Sequence, residues 1–141
     1  MADEAAYRQK LQMTRECFRP DMSVLEFGCG TGTTAIAHAP YVRRIEAIDS
    51  APRMIEIARQ RAEAADVSNV AFAVGSIEAL PTPARPFDAV LGLSILHLVA
   101  DPDAVVAKVH RLLRPGGVFV SSTMCLGDTM KWIKYIDPLG R

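Results

Sequence analysis

Apolar and polar residues alternate along this chain with two different periods. Short apolar runs recur at Val24 to Phe27, Arg44 to Asp49, Val70 to Gly75, Phe87 to Leu93 and Val118 to Thr123. Each has strand length and is bounded by glycine, proline or polar residues. Between these runs the spacing becomes helical. Tyr7, Leu11, Met13 and Phe18 give residues 4–18 a loose helical face that Pro20 stops, and Thr31 to Ala39 is a short helix ended by Pro40. Met54, Ile55, Ala58, Ala62 and Ala65 form the core stripe of a third helix, which Ser50 caps with Pro52 in its first turn. Val105, Val106, Val109, Leu112 and Leu113 do the same for a fourth, capped by Asp101 with Pro102 at the first helical position. Strands that alternate with helices in this way predict an α/β domain with a doubly wound, mostly parallel sheet.

The first strand leads into glycines at 28, 30 and 32, and a helix follows at once. Glycine accepts positive φ and, lacking Cβ, lets backbone approach a ligand closely. A helix start beyond the loop adds N–H groups and a positive dipole end. The stretch therefore reads as a nucleotide-like cofactor site at the carboxyl end of a parallel strand. Its spacing is Gly-x-Gly-x-Gly, unlike the Gly-x-Gly-x-x-Gly of dinucleotide sites. Glu26 sharpens the reading, because a carboxylate at the end of a buried strand is costly without a partner. The amino group of a bound amino acid would serve. Asp49 ends the second strand 17 residues beyond Gly32, where a carboxylate can accept from two ribose hydroxyls. Cys29 is read as a small, compact loop side chain with no nucleophile motif around it, and the lone His38 as a packed or surface residue.

Glu26-Phe27-Gly28-Cys29-Gly30-Thr31-Gly32 resembles the first motif of the class I S-adenosylmethionine (SAM)-dependent methyltransferases. Ser50-Ala51-Pro52-Arg53-Met54, Phe87-Asp88 and the run Arg114-Pro115-Gly116-Gly117 before the fifth strand resemble later landmarks of that family in the same order. Ser76-Ile77-Glu78-Ala79-Leu80-Pro81 is similar to its Asp-Ala-Glu-x-Leu-Pro segment, with serine in place of the acid. The resemblance implies a Rossmann-like sheet of order 3-2-1-4-5. It implies SAM as cofactor and S-adenosylhomocysteine as product. The loop Gly28, Gly30, Thr31 and Gly32, with Glu26, would hold the amino-acid part of SAM, and Asp49 with Ser50 its ribose. Met54 would lie along the adenine, Ser76 near its amino group, and the Ile77 N–H at a ring nitrogen. Leu93 and the residues to Leu98 would lie beside the transferred methyl group. His97 is the candidate base there, with a purely structural packing role as its alternative. Tyr7 is the candidate lid contact from the N-terminal helix.

The bulk numbers narrow the reading further. In 141 residues, 16 basic and 16 acidic side chains cancel, which gives no electrostatic reason to expect a nucleic acid. No apolar run is long enough to span a membrane, and the acidic N-terminus is no secretory signal. Cys17, Cys29 and Cys125 are scattered, as expected of reduced thiols in a cytoplasmic protein. The whole length is expected to form one domain, with an N-terminal helix over 1–20 and a tail over 124–141. That tail shows an amphipathic stretch (Met130, Ile133, Ile136) and no sixth or seventh strand, so the fifth strand would be an exposed apolar edge. Either the chain is a piece of a longer enzyme or self-association covers that edge, and the first is favoured. Neither a Pro-Pro-aromatic motif nor a Pro-Cys nucleophile follows the fourth strand, which favours a small-molecule acceptor. The alternatives are a non-catalytic SAM-binding module and an NAD-dependent oxidoreductase; glycine spacing, Glu26 and Pro115-Gly116-Gly117 oppose the latter.

Overall fold

The computed structural model, which describes residues 2–93, 101–124 and 130–136, is built around a central strand, β1 (Ser23–Phe27). Successive side chains of a strand point to opposite faces, and here both faces are core. Val24 joins Ala47, Ala89, Leu91 and Val120 on one side, while Leu25 and Phe27 join Ile48, Val90 and Phe119 on the other. Such two-sided burial accounts for the near-continuous apolar runs in the sequence. The first face is covered by α2 (Thr33–His38) and α3 (Pro52–Ala64), with α1 (Ala2–Arg15) packed on α2. The second is covered by α4 (Pro102–Leu112), through Val105, Val109 and Leu112.

Strands β2 (Arg44–Asp49), β3 (Val70–Val74), β4 (Phe87–Leu93) and β5 (Leu113–Met124) complete the expected parallel set. The order is β3-β2-β1-β4-β5-β6. β1 pairs in parallel with both β2 and β4, so strand order reverses there and a crevice opens at the carboxyl ends. The sixth strand, β6 (Met130–Ile136), corrects the expectation that the tail holds none. It runs antiparallel along β5 from Val118↔Ile136 to Met124↔Met130. The edge of β5 is therefore covered by the chain itself, which removes the ground on which self-association through that edge was expected. The stretch contains Trp132, Ile133, Tyr135 and Ile136, all good strand formers, and β5 offers them a ladder that an isolated helix lacks.

Other local expectations need adjustment. Residue Ala51, not Ser50, is the N-cap of α3, without any side-chain cap. The buried stripe of α3 is Ile55, Ala58 and Ala62, whereas Met54 is 38% exposed and Ala65 is exposed. The helix after the glycine loop is shorter than its pattern, and Pro40 sits in a 3-10 turn over Ala39–Tyr41. Asp101 caps α4 as expected, accepting from the Ala104 N–H at 3.1 Å.

The amino ends of the strands are locked by polar bonds. Asp88 accepts from the Ser23 N–H at 2.7 Å and from Arg114 Nε at 2.5 Å. Gly117 fits beside it because a Cβ there would lie 2.9 Å from the Arg114 carbonyl. Asn69 Nδ2 donates to the carbonyls of Ala39, Val42 and Arg43, bridging the turn before β2 to the start of β3. The Phe87-Asp88 and Arg-Pro-Gly-Gly landmarks are thus structural ties. Among the described residues, no helix is long and apolar enough to cross a membrane.

Candidate cofactor site

At the opposite end, the backbone turns out of β1 through Gly28, Gly30 and Gly32, at φ 65, 57 and 81°. These values lie in the left-handed region, which side chains with a Cβ disfavour. The second and third glycines of this trio differ in surroundings. A Cβ on Gly32 would sit 2.9 Å from the Phe72 ring and 3.1 Å from the Ala58 Cβ, so Gly32 allows the loop to dock on α3. A Cβ on Gly30 would meet nothing within 4 Å, so this peptide faces open space where another molecule can approach it. Helix α2 is only six residues long, so the loop's own amides matter more than a helix dipole.

The two acids of the sequence reading lie on either side of this loop. Asp49 Oδ2 accepts from the Gly30 N–H at 2.8 Å, and Oδ1 from the Ala51 N–H at 2.9 Å. Its carbonyl accepts from the Gly75 N–H at 3.0 Å, which ties the third strand's exit to the second's. Two backbone amides fix the carboxylate and leave further lone pairs on each oxygen. Glu26 is 2% exposed, and its Oε2 accepts from Thr34 Oγ1 at 2.6 Å. The Ala51 amide that Asp49 holds belongs to the N-cap itself, so α3 begins one residue later than a Ser50 cap would set it.

Around these acids, Ser76 Oγ accepts from the Ala79 N–H at 3.3 Å, shaping the turn after β3, and the Ile77 side chain is buried. Lys108 Nζ holds the end of that turn through the Leu80 carbonyl at 2.5 Å. Ser50, in the connection between β2 and α3, and Met54, in the first turn of α3, are exposed. The side chains of Tyr7 and Leu93, and His97 altogether, lie outside the described residues. Cys29 is buried with its thiol pushed up to about 12, by desolvation first and then by the charges of Glu26 and Asp49. A thiol so protonated is no nucleophile at neutral pH. The structure thus brings the glycine loop, Glu26, Asp49 and the turn at Ser76 and Ile77 to one end of the sheet.

Two side chains absent from the sequence reading take part. Thr34 donates to Glu26, and Arg61 of α3 donates from Nη1 to Thr31 Oγ1 at 2.9 Å and Thr33 Oγ1 at 2.6 Å. Neither carries a sequence signal, because each partner is brought near only by the fold. A groove of about 500 Å³ elsewhere, bounded by Arg59, Glu63, Asp66 and Val70, has no glycine-loop residue in its wall. Among the described residues, no group of three or more His, Cys, Asp or Glu side chains is placed to hold a metal ion.

Chemically, the donor set fits a nucleoside joined to an amino acid. An acid at the tip of β2 suits a ribose diol, a buried acid at the end of β1 suits an ammonium, and the open Gly30 peptide suits a close carboxylate. Comparison with known proteins agrees. A family model described as "Methyltransferase domain" matches residues 18–136. A ubiquinone biosynthesis O-methyltransferase of Methylocella silvestris is 40% identical over 103 residues, covering 73% of this chain and 40% of that protein. The solved structure of YcgJ from Bacillus subtilis superposes with a TM-score of 0.78 at 31% identity, over 83% of this chain and 51% of that one. The N-methyltransferase NodS of Bradyrhizobium japonicum, solved in complex with S-adenosylhomocysteine, superposes with a TM-score of 0.72 at 26% identity, over 82% of this chain and 60% of that one. The chain spans about two fifths of the length of the curated relatives it matches.

Proposed function

The chain belongs to the class I SAM-dependent methyltransferase family, and from that premise we propose that it binds SAM at the glycine loop and directs its methyl group to a small-molecule acceptor. Bound SAM supplies an electrophilic methyl group on a sulfonium, open to in-line displacement. The protein's own residues bind, orient and exclude water. In this reading Glu26 takes the amino group, Asp49 and Ser50 the ribose, and Met54 the adenine face. Ser76 and the Ile77 N–H meet the adenine edge, and Leu93 lies beside the methyl group. His97 takes the proton from the acceptor.

The observation that carries the reading is the bond from the Gly30 N–H to the Asp49 carboxylate, beside an open glycine peptide. It couples the loop for one half of the cofactor to the acid for the other half. The 38% exposure of Met54 supports it too, since a large apolar side chain left out of the core is available to an aromatic base. A neutral overall charge and the similarity to the ubiquinone biosynthesis O-methyltransferase of Methylocella favour a small, quinone-like acceptor methylated on oxygen. Calorimetric titration with S-adenosylhomocysteine tests the site. Asp49→Ala is expected to weaken binding by about 1–3 kcal/mol through lost charged hydrogen bonds. Unchanged affinity in that variant rules out the ribose assignment.

A further inference from the structure

The glycine loop is the most flexible kind of backbone to order, since glycine loses more conformational freedom on folding than any other residue. Its inner half is fixed by the Asp49 bond to Gly30 and by the Cys29 N–H to the Ile48 carbonyl at 3.0 Å. Its outer half, Thr31 to Thr33, leads into a helix whose N-cap, Gly32, offers no side-chain cap. Helix α3 reaches across to this outer half. Ala58 packs on Gly32, and Arg61, one turn further along the same face, donates from Nη1 to three acceptors. These are Thr33 Oγ1 at 2.6 Å, Thr31 Oγ1 at 2.9 Å and the Thr31 carbonyl at 3.4 Å.

We propose that Arg61 is a positioning residue for cofactor binding: it holds the outer half of the glycine loop in its binding shape without touching the cofactor. The inference rests on the reading of this loop as the SAM site. Arg61 is exposed, so its bonds add little to global stability. A loop held in its bound shape before the ligand arrives, however, loses less entropy on binding. The segment from Asp49 to Arg61 then acts as one part, with an acid at its head gripping Gly30 and a guanidinium at its tail gripping Thr31 and Thr33.

Titration of the 141-residue chain with S-adenosylhomocysteine, together with amide hydrogen exchange of the ligand-free protein, tests this. Arg61→Ala is expected to raise Kd about fivefold, as for loss of roughly one net hydrogen bond. Thr33→Val should raise it by a smaller factor on its own and add nothing in the Arg61→Ala background, because both act through one contact. Exchange of the Gly32 amide should quicken in Arg61→Ala, while the Gly30 amide held by Asp49 and the amides of the central strands keep their protection. Wild-type affinity in Arg61→Ala, or independent effects of the two substitutions, overturns the proposal. Should the wild-type chain not bind S-adenosylhomocysteine at all, the SAM reading fails. The exchange measurement still decides whether Arg61 orders the loop, and unchanged loop protection overturns that.

Discussion

Asp88 and Asp49 are alike in chemistry and opposite in setting. Each accepts one backbone N–H from a strand exit or entry nearby: Asp88 from Ser23 at 2.7 Å, Asp49 from Gly30 at 2.8 Å. Asp88 then closes on a guanidinium, Arg114, at the amino ends of the strands. The described contacts of Asp49, at the carboxyl ends, are backbone amides with no cation among them. The same contrast runs through the rest of each end. Asn69 joins three carbonyls at the amino end, whereas Gly30 faces open space at the carboxyl end. Two motifs that look equally strong in sequence therefore do different work. β2 and β4 run parallel, so the end of the strand at which each acid sits decides which is structural and which is free to meet a ligand.

Titration of His38 probes the amino side and carries the largest expected effect. The residue closes α2, is fully buried against the edge of Phe18, and has no hydrogen-bond partner on either ring nitrogen among the described residues. Burial first, and then the Arg15 guanidinium that lies over the Tyr41 ring, push it down to about 4 from 6.5. Below pH 6.5 the unfolded chain therefore takes up a proton that the folded chain refuses. Stability falls progressively as pH drops from 6.5 to 4 and levels off below that, by up to about 3 kcal/mol. Denaturant unfolding across this range should show the slope in the wild type and lose that component in His38→Leu. Equal slopes in the two proteins would mean that another group is responsible.

Asp88→Ala is the next test. It removes the acceptor for both Ser23 and Arg114 and leaves a half-buried guanidinium without its carboxylate. The side chains are 33% and 23% exposed, so solvent recovers part of the loss, and about 2 kcal/mol of stability is expected to go. Affinity of the folded protein for S-adenosylhomocysteine should stay at the wild-type value, in contrast to Asp49→Ala. If Asp88→Ala weakens binding as much as it weakens folding, the two ends of the sheet are not separable.

What the sequence made legible follows the range of the forces involved. The strand, glycine loop and helix around residues 24–38 are set by neighbours a few positions apart, so their positive φ angles and the paired acids were readable. Ser50 was misread because the N-cap of the helix falls one residue later, at Ala51, whose own amide is held by Asp49. Met54 was misread because helical spacing gives a stripe and not the point at which the stripe leaves the sheet. The final strand was missed because Met130, Ile133 and Ile136 fit a helical period, and only the open side of β5 selects the extended form. Thr34 and Arg61 are eight and 30 residues from their partners in sequence, a separation at which spacing carries no information.

Thr34→Val offers the smallest effect and the finest test of the carboxyl end. The substitution keeps the shape of the side chain and removes the hydroxyl that donates to Glu26 at 2.6 Å. A buried carboxylate deprived of one donor should lower stability by about 1 kcal/mol, and Thr34→Ser should restore it. If Glu26 is the acid that receives the cofactor's ammonium, the ligand brings a new donor and a positive charge to the same carboxylate. The stability deficit of Thr34→Val should then narrow when S-adenosylhomocysteine is added to saturation, since the ligand stabilises the variant more than the wild type. Thermal melts of the two proteins with and without ligand read this directly. A deficit that widens with ligand would place the missing hydroxyl, rather than Glu26, against the cofactor, and the carboxyl end would then recognise it through a neutral group where the contrast with Asp88 requires a charged one.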